Sequence, residues 1–268
     1  VLENFLVHPT GGVTRRPGTR HVAEVKASAN TTRLVNFEFG VSDTYILEFG
    51  HQYLRFYRDS GQIVSGSPSA AYEISTSYTS AQVNDLKFAQ TGDVMYVVHP
   101  SHEISKLTRT DHTAWTLTEI TLTDGPYLTQ NSTATTMTPG ATSGTGQSLA
   151  ASAVTGINNG SGFLSTDIGR LVTFSAGYAK ITAVGSTTAA TITILDDFSG
   201  TGATADWSLG SFSDTTGHPY TVSFFEERLV FAGSDEQPQT VFFSKSGDFD
   251  NFKAGTDADD AMIFTIGS

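Results

Sequence analysis

The chain is predicted to be all-β. Three observations carry this. Gly (26), Ser and Thr crowd every region, while charged residues make up only 16% of the 268 positions, well below the usual quarter or so. Apolar residues come in short runs bounded by turn residues, as strands do. And one pattern of such runs occurs three times.

The chain opens with "GGVTRRPGTRHVAEV" at residues 11–25. A phosphate loop needs Gly-x4-Gly-Lys-Ser/Thr spacing before a helix, and Gly11-Gly12 before Arg15-Arg16 lacks it. The stretch reads as a loop with a Pro17-Gly18 turn feeding a strand. Arginines at such a turn also suit carboxylates on an acidic neighbouring subunit.

The repeats follow. They are "LVNFEFGVSDTYILEFGHQYLRFYRDSGQI" from Leu34, "LKFAQTGDVMYVVHPSHEISKLTRTDHTAWTL" from Leu86, and "VSFFEERLVFAGSDEQPQTVFFSKSGDFDNF" from Val222. Each holds a short apolar strand, a tight turn, a more hydrophobic strand, a polar turn and a third strand. A basic residue stands near the exit of each third strand (Arg58, Arg109, Lys245). The central strands, Tyr45–Phe49, Val94–Val98 and Leu229–Ala232, are nearly continuous apolar runs, as strands buried on both faces read. Leu34 and Leu86 stand 52 residues apart, Leu86 and Val222 136; the excess of 84 equals the length of residues 129–212. Units of this length with three or four short strands predict propeller-like blades, which bury their faces by stacking. The predicted organisation is blades over 1–128, an inserted small β-barrel over 129–212, and a continuing blade over 213–268.

Residues 125–166 of the inserted region contain no charged residue, and this tract is expected to be a flexible or surface-tracking linker. Leu171–Phe174, Tyr178–Val184 and Thr191–Leu195 then alternate as half-buried strands. Helix is scarce; the one candidate is Ser80–Leu86, capped by Thr79.

No cysteine is present, which excludes disulfides, thiolate catalysis and Cys-ligated zinc. The net charge of −12 opposes non-specific grip on nucleic acid; solubility explains it as well as a surface that must release DNA. No window is apolar enough to span a membrane, and residues 1–7 lack the flanks of a signal peptide. The start at Val1 and the stop after the strand-like Ala261–Ile266 read as a fragment of a longer protein.

No catalytic constellation stands out, and no metal or cofactor is expected. His99 and His102 in "HPSHE" read as a hairpin loop rather than a metal site. Asp196-Asp197 and the Asp257, Asp259, Asp260 group lack calcium-loop spacing. Glu226-Glu227 beside Arg228 are adjacent on one strand path and point to opposite faces, so they read as a hairpin tip rather than a glycosidase pair. Tyr127, Trp115, Trp207 and Tyr178 are candidate sugar platforms, against the plainer reading that they pack between sheets.

The stretches "NFLVHPTGGVTRRPGTRHVAEV", "DLKFAQTGDVMYVVHP", "DIGRLVTF" and "WSLGSFSDTTGHPYTVSFFEERLVFAGSDEQPQTVFFSKSGDFDNF" resemble the tail nozzle, or tail tubular protein B-like, family of short-tailed bacteriophages and prophages. The resemblance covers most of the chain and departs at a Gln-Arg-type hairpin, which here reads Glu227-Arg228. The inserted block is similar to a segment labelled FCCH-type, which implies an SH3-like barrel and carries over no ubiquitin chemistry. The resemblance implies a structural virion protein without an active site. Its subunits would form a homo-oligomeric, hexameric ring below the head–tail adaptor. That ring would line the channel for genomic DNA and carry tail fibres or spikes. Arg15, Arg16 and Arg20 then become expected assembly contacts. The alternatives are a tail adhesin whose barrel binds host-surface glycans and, on weaker grounds, a glycan depolymerase.

Overall fold

The computed structural model describes residues 3–40, 43–66 and 69–267 together with Pro68. It is all-β, with two single turns of 3-10 helix at Asn158–Gly160 and Ser165–Asp167. No helix among the described residues is long and apolar enough to cross a membrane. The chain divides into two compact units, Val1–Ser80 and Ala81–Ser268.

The first unit begins with a two-stranded hairpin, β1 (Phe5–Val7) on β2 (Val13–Arg15). A meander follows: β3 (Arg33–Glu38), β4 (Thr44–Gly50), β5 (Tyr53–Arg58) and β6 (Gly61–Gln62). Asp59 and Ser60 make the β5–β6 turn with φ of 51° and 60°, the left-handed pair that two-residue hairpins need. A small ribbon, β7 (Val64–Ser65) and β8 (Ala70–Ala71), precedes β9 (Glu73–Ser75), which returns to pair with β5. Phe37, Tyr45, Leu47, Phe49, Leu54, Phe56 and Tyr78 are fully buried. Glu48 is buried with them and accepts hydrogen bonds from the hydroxyls of Tyr53 and Tyr57, so the carboxylate is solvated by phenols instead of water.

The expected helix over Ser80–Leu86 is absent: residues 80–85 are turns. Asp85 N donates to the Gln82 carbonyl at 2.9 Å, an i→i−3 turn contact. Seven residues cannot repay helix nucleation, and Asn84 and Asp85 favour turns.

The second unit contains the other two repeats as four-stranded antiparallel meanders. The first is β10 (Lys87–Thr91), β11 (Val94–His99), β12 (His102–Asp111) and β13 (Ala114–Glu119). Between the meanders lies a curled, six-stranded half-barrel: β14 (Met137–Pro139), β15 (Gln147–Ala151), β16 (Leu171–Phe174), β17 (Gly177–Ser186), β18 (Ala189–Asp196) and β19 (Trp207–Leu209), in the order β14-β15-β18-β17-β16-β19. Its two edges approach where Met137 and Thr204 exchange backbone hydrogen bonds at 2.8 and 3.0 Å. The last meander is β20 (Thr221–Phe225), β21 (Arg228–Ala232), β22 (Thr240–Phe243) and β23 (Met262–Thr265).

The charge-free tract is not the expected linker. It supplies β14 and β15, and Met137, Leu149, Ile157 and Phe163 enter the half-barrel core beside Val172, Ile181, Ile192 and Trp207. Some of its polar side chains bond locally: the Asn131 amide nitrogen lies 3.0–3.1 Å from the carbonyl oxygens of Thr133, Thr135 and Ala205, which share its two hydrogens. A second core joins the two meanders through Tyr96, Val98, Leu229, Phe231, Phe242 and Phe252, and receives Leu171 and Tyr178 from the half-barrel. The entry to the half-barrel is sewn to the last meander by Thr123 N to Asp250 O and Phe252 N to Asp124 O, both 2.7 Å. At that seam Gly125 has φ +66°, and a Cβ there would stand 2.5 Å from the Phe252 carbonyl oxygen. Only glycine fits.

Candidate functional site

Arg15 lies at the end of β2 rather than in the expected loop, and Arg16 and Arg20 follow in the irregular segment after it; all three are exposed. The alternating His21–Val25 stretch forms no strand, and the chain enters the meander only at Arg33. None of the three guanidinium groups makes an ion pair among the described residues. The hairpin pairs with no third strand among them either, a state that is marginal for an isolated ribbon in water. Its apolar residues Phe5, Leu6, Val7 and Val13 are 47–69% exposed. Residues 4–23 contain these three arginines and no acid, so the rest of the chain holds 12 basic against 27 acidic side chains, a net −15. The hairpin is thus an exposed apolar ribbon of opposite sign to the rest of its own chain.

A second uncovered surface lies on the last meander. Strand alternation turns Val222, Phe242 and Ile263 into the core and leaves Phe225, Phe243 and Phe264 on the other face. These three rings form a stripe across the sheet, with centroids 6.4 and 6.0 Å apart in edge-to-face contact. Phe225 and Phe264 remain 58% and 55% exposed. The stripe runs onto β23, the edge strand, so an apolar face and an open strand edge coincide. Such a surface is a docking or aggregation site unless something covers it.

Glu226 and Glu227 form the β20–β21 turn with φ of 45° and 60°, an acidic hairpin tip. Arg228, which the sequence placed at that tip, is instead buried. It donates to three main-chain carbonyls: Ser244 and Asp260 at 2.6 Å and Ala258 at 2.8 Å. The Asp257, Asp259, Asp260 group is therefore a loop clamped over the sheet. Asp257 and Asp259 stay exposed on it: Lys245 reaches Asp259 at 3.1 Å in a surface ion pair, and the Asp260 carboxylate accepts from the Asp257 amide at 3.0 Å.

His99 and His102 stack edge to face, 5.1 Å apart. His99 Nδ1 accepts from the Ser101 amide at 3.0 Å. His218 packs nearby, with its amide on the Pro100 carbonyl and its Nε2 2.9 Å from Asp214 Oδ1. Burial first, then the neighbouring histidines, pushes both His99 and His102 below the usual imidazole range. Among the described residues, no three His, Asp or Glu side chains converge as metal ligands. Asp196, the last residue of β18, and Asp197 after it are exposed.

Of the four aromatic sugar-platform candidates, Trp115, Trp207 and Tyr178 are buried and Tyr127 half-buried. Trp207 Nε1 donates to the Thr135 carbonyl at 2.9 Å and the Tyr127 hydroxyl to Asp124 at 2.5 Å. They pack and tether rather than present an open face. Sequence reasoning missed the buried Arg170, whose guanidinium meets Asp167 at 2.9 Å; the Asp-x-x-Arg spacing was its one visible signal. It also missed Glu48.

No protein-family model matches the chain, and the search of curated proteins gives no match.

Proposed function

We propose that the chain is a structural subunit of a bacteriophage tail. On this reading it is a nozzle-type protein of propeller-like blades interrupted by an SH3-like barrel, and it has no active site and no cofactor. Copies associate into a ring, hexameric by the family resemblance, between the head–tail adaptor and the fibres or spikes. Genomic DNA passes along the ring without specific binding, in keeping with a net charge of −12.

The observation that carries this reading is the aromatic stripe Phe225–Phe243–Phe264 on an open sheet face. A blade leaves such a face for the next blade to cover. The acid-free arginine hairpin supports contact with a second copy, whose remaining surface is acidic. A second reading, a tail adhesin for host-surface glycans, draws support from a cleft of about 180 Å³ lined by Asn158, Asn159, Thr215 and Glu236.

Sedimentation velocity over a range of concentrations tests the assembly claim. The chain should self-associate, and Phe264→Ser should weaken association by about tenfold or more, as should Arg15→Glu combined with Arg16→Glu. A protein that stays monomeric at every concentration contradicts the reading.

A further inference from the structure

Register sorts the side chains of the β1–β2 hairpin onto two faces. Phe5 pairs with Arg15, Leu6 with Thr14 and Val7 with Val13, and residues paired across a ladder point to the same side. One face therefore carries Phe5, Val7 and Val13, with Arg15 at its end. The other carries Leu6 and Thr14, whose hydroxyl lies 2.9 Å from His8 Nε2. The first face is an apolar ribbon with a cation at one end, and its three apolar residues are exposed.

The last meander presents the complementary surface. Met262 pairs with Phe243 and so joins the side that carries Phe225, Phe243 and Phe264; Phe225, Met262 and Phe264 are exposed. This stripe has an acidic end. Phe225 runs into the exposed Glu226-Glu227 turn, and the exposed Asp257 and Asp259 lie on the loop that enters β23. Both acidic segments bond to one turn: the Gly247 amide donates to the Glu227 carbonyl and the Ser246 amide to the Asp259 carbonyl, each at 2.9 Å. Lys245, which pairs with Asp259, offsets one of these charges.

The two surfaces match in chemistry and in polarity. Laid face to face at the roughly 10 Å spacing of packed sheets, Phe5, Val7 and Val13 cover the rings while Arg15 reaches the acidic end. We propose that the hairpin of one copy packs on the aromatic stripe of the next copy. This names the contact behind the assembly reading above and rests on it. A stripe-on-stripe contact would cover the rings and leave the ribbon bare, whereas the hairpin-on-stripe contact covers both. Each copy carries both halves, so the contact is head-to-tail and repeats from copy to copy, closing into a ring where the rotation allows.

The test is sedimentation velocity of two variants of the full chain, alone and mixed: Val13→Ser combined with Arg15→Glu, and Phe264→Ser. Each alone should associate about tenfold or more weakly than the unmodified chain. An equimolar mixture should regain association and stop at a dimer, because the hairpin variant still offers a stripe and the Phe264→Ser chain still offers a hairpin. Phe225→Ser, at the other end of the stripe, replaces Phe264→Ser if that change lowers the thermal melt. Where the unmodified chain self-associates, either variant alone matching it, or a mixture no more associated than its components, overturns the contact and leaves the assembly reading standing: copies then meet elsewhere, or stripe and hairpin serve other proteins. An unmodified chain that stays monomeric at every concentration overturns both.

Discussion

Arg228 binds Asp260 through the main chain, not through charge: its guanidinium donates to the Asp260 carbonyl at 2.6 Å, while the Asp260 carboxylate turns to the Asp257 amide. With Ser244 and Ala258 also on the fork, one side chain closes the loop over 258–260 against the sheet. Hydrogen bonds from a charged donor contribute about 1.5–3 kcal/mol each. Arg228→Ala should therefore destabilise the second unit by roughly 3 kcal/mol or more, and Arg228→Lys, which loses the fork geometry, by less. Denaturant unfolding of the three proteins measures this; equal stability contradicts the clamp.

Glu48 holds two phenols, and that imposes an alkaline limit. Burial, then the hydrogen bond to Glu48 and its charge, pushes the Tyr57 hydroxyl up to about 12 from an ordinary 10.0. Tyr53 is raised further by the same causes. The folded chain keeps these protons where the unfolded chain releases them, so their contribution is intact below pH 10 and is lost as pH rises toward 12. Hydrogen exchange of the β4 and β5 amides should accelerate through that window, and Tyr57→Phe should flatten the dependence.

The His99–His102 pair sets an acid limit. Both imidazoles lie below their ordinary 6.5 in the folded chain. The unfolded chain therefore binds protons first, and stability falls as pH drops below 6.5. Acid titration of the second unit, followed by tryptophan fluorescence, should show a shallower loss in His102→Gln. An unchanged slope contradicts the assignment.

Gly125→Ala places a methyl 2.5 Å from the Phe252 carbonyl oxygen at φ +66°. The strain alone costs about 1–3 kcal/mol, and the seam at Asp124 and Phe252 must open as well. Thermal melts should show a clear loss, whereas Gly200→Ala, with open space around its Cβ, should be near neutral.

The strands were legible because their signal is local. Apolar runs such as Tyr45–Phe49 and Val94–Val98 are long enough to bury, and the turn pairs beside them are short and polar. The half-barrel was legible only in its second half. Its first half spaces Met137, Leu149, Ile157 and Phe163 singly among Ser, Thr and Gly, so no periodicity announces a strand, and the lack of charge reads as a linker when it reflects packing. The 80–86 segment has a helical composition over too few residues for nucleation. Arg170 and Arg228 were invisible as interior residues because charge normally marks solvent, and only tertiary structure supplies the carbonyls that make a buried guanidinium tolerable. Arg15 closes a strand and residues 16–20 form no assigned turn, so the exposure of Arg15, Arg16 and Arg20 and the acid-free ribbon they decorate come from the fold and the charge pattern together.

The central claim is that this chain is a structural part of a phage tail. Mass spectrometry of gradient-purified phage particles from the source culture tests it most directly, through the tryptic peptide Leu229–Lys245, "LVFAGSDEQPQTVFFSK", quantified against the capsid protein. The account predicts the peptide in the particles at a few copies each. Its absence from particles, with the peptide abundant in the soluble lysate, would contradict the account.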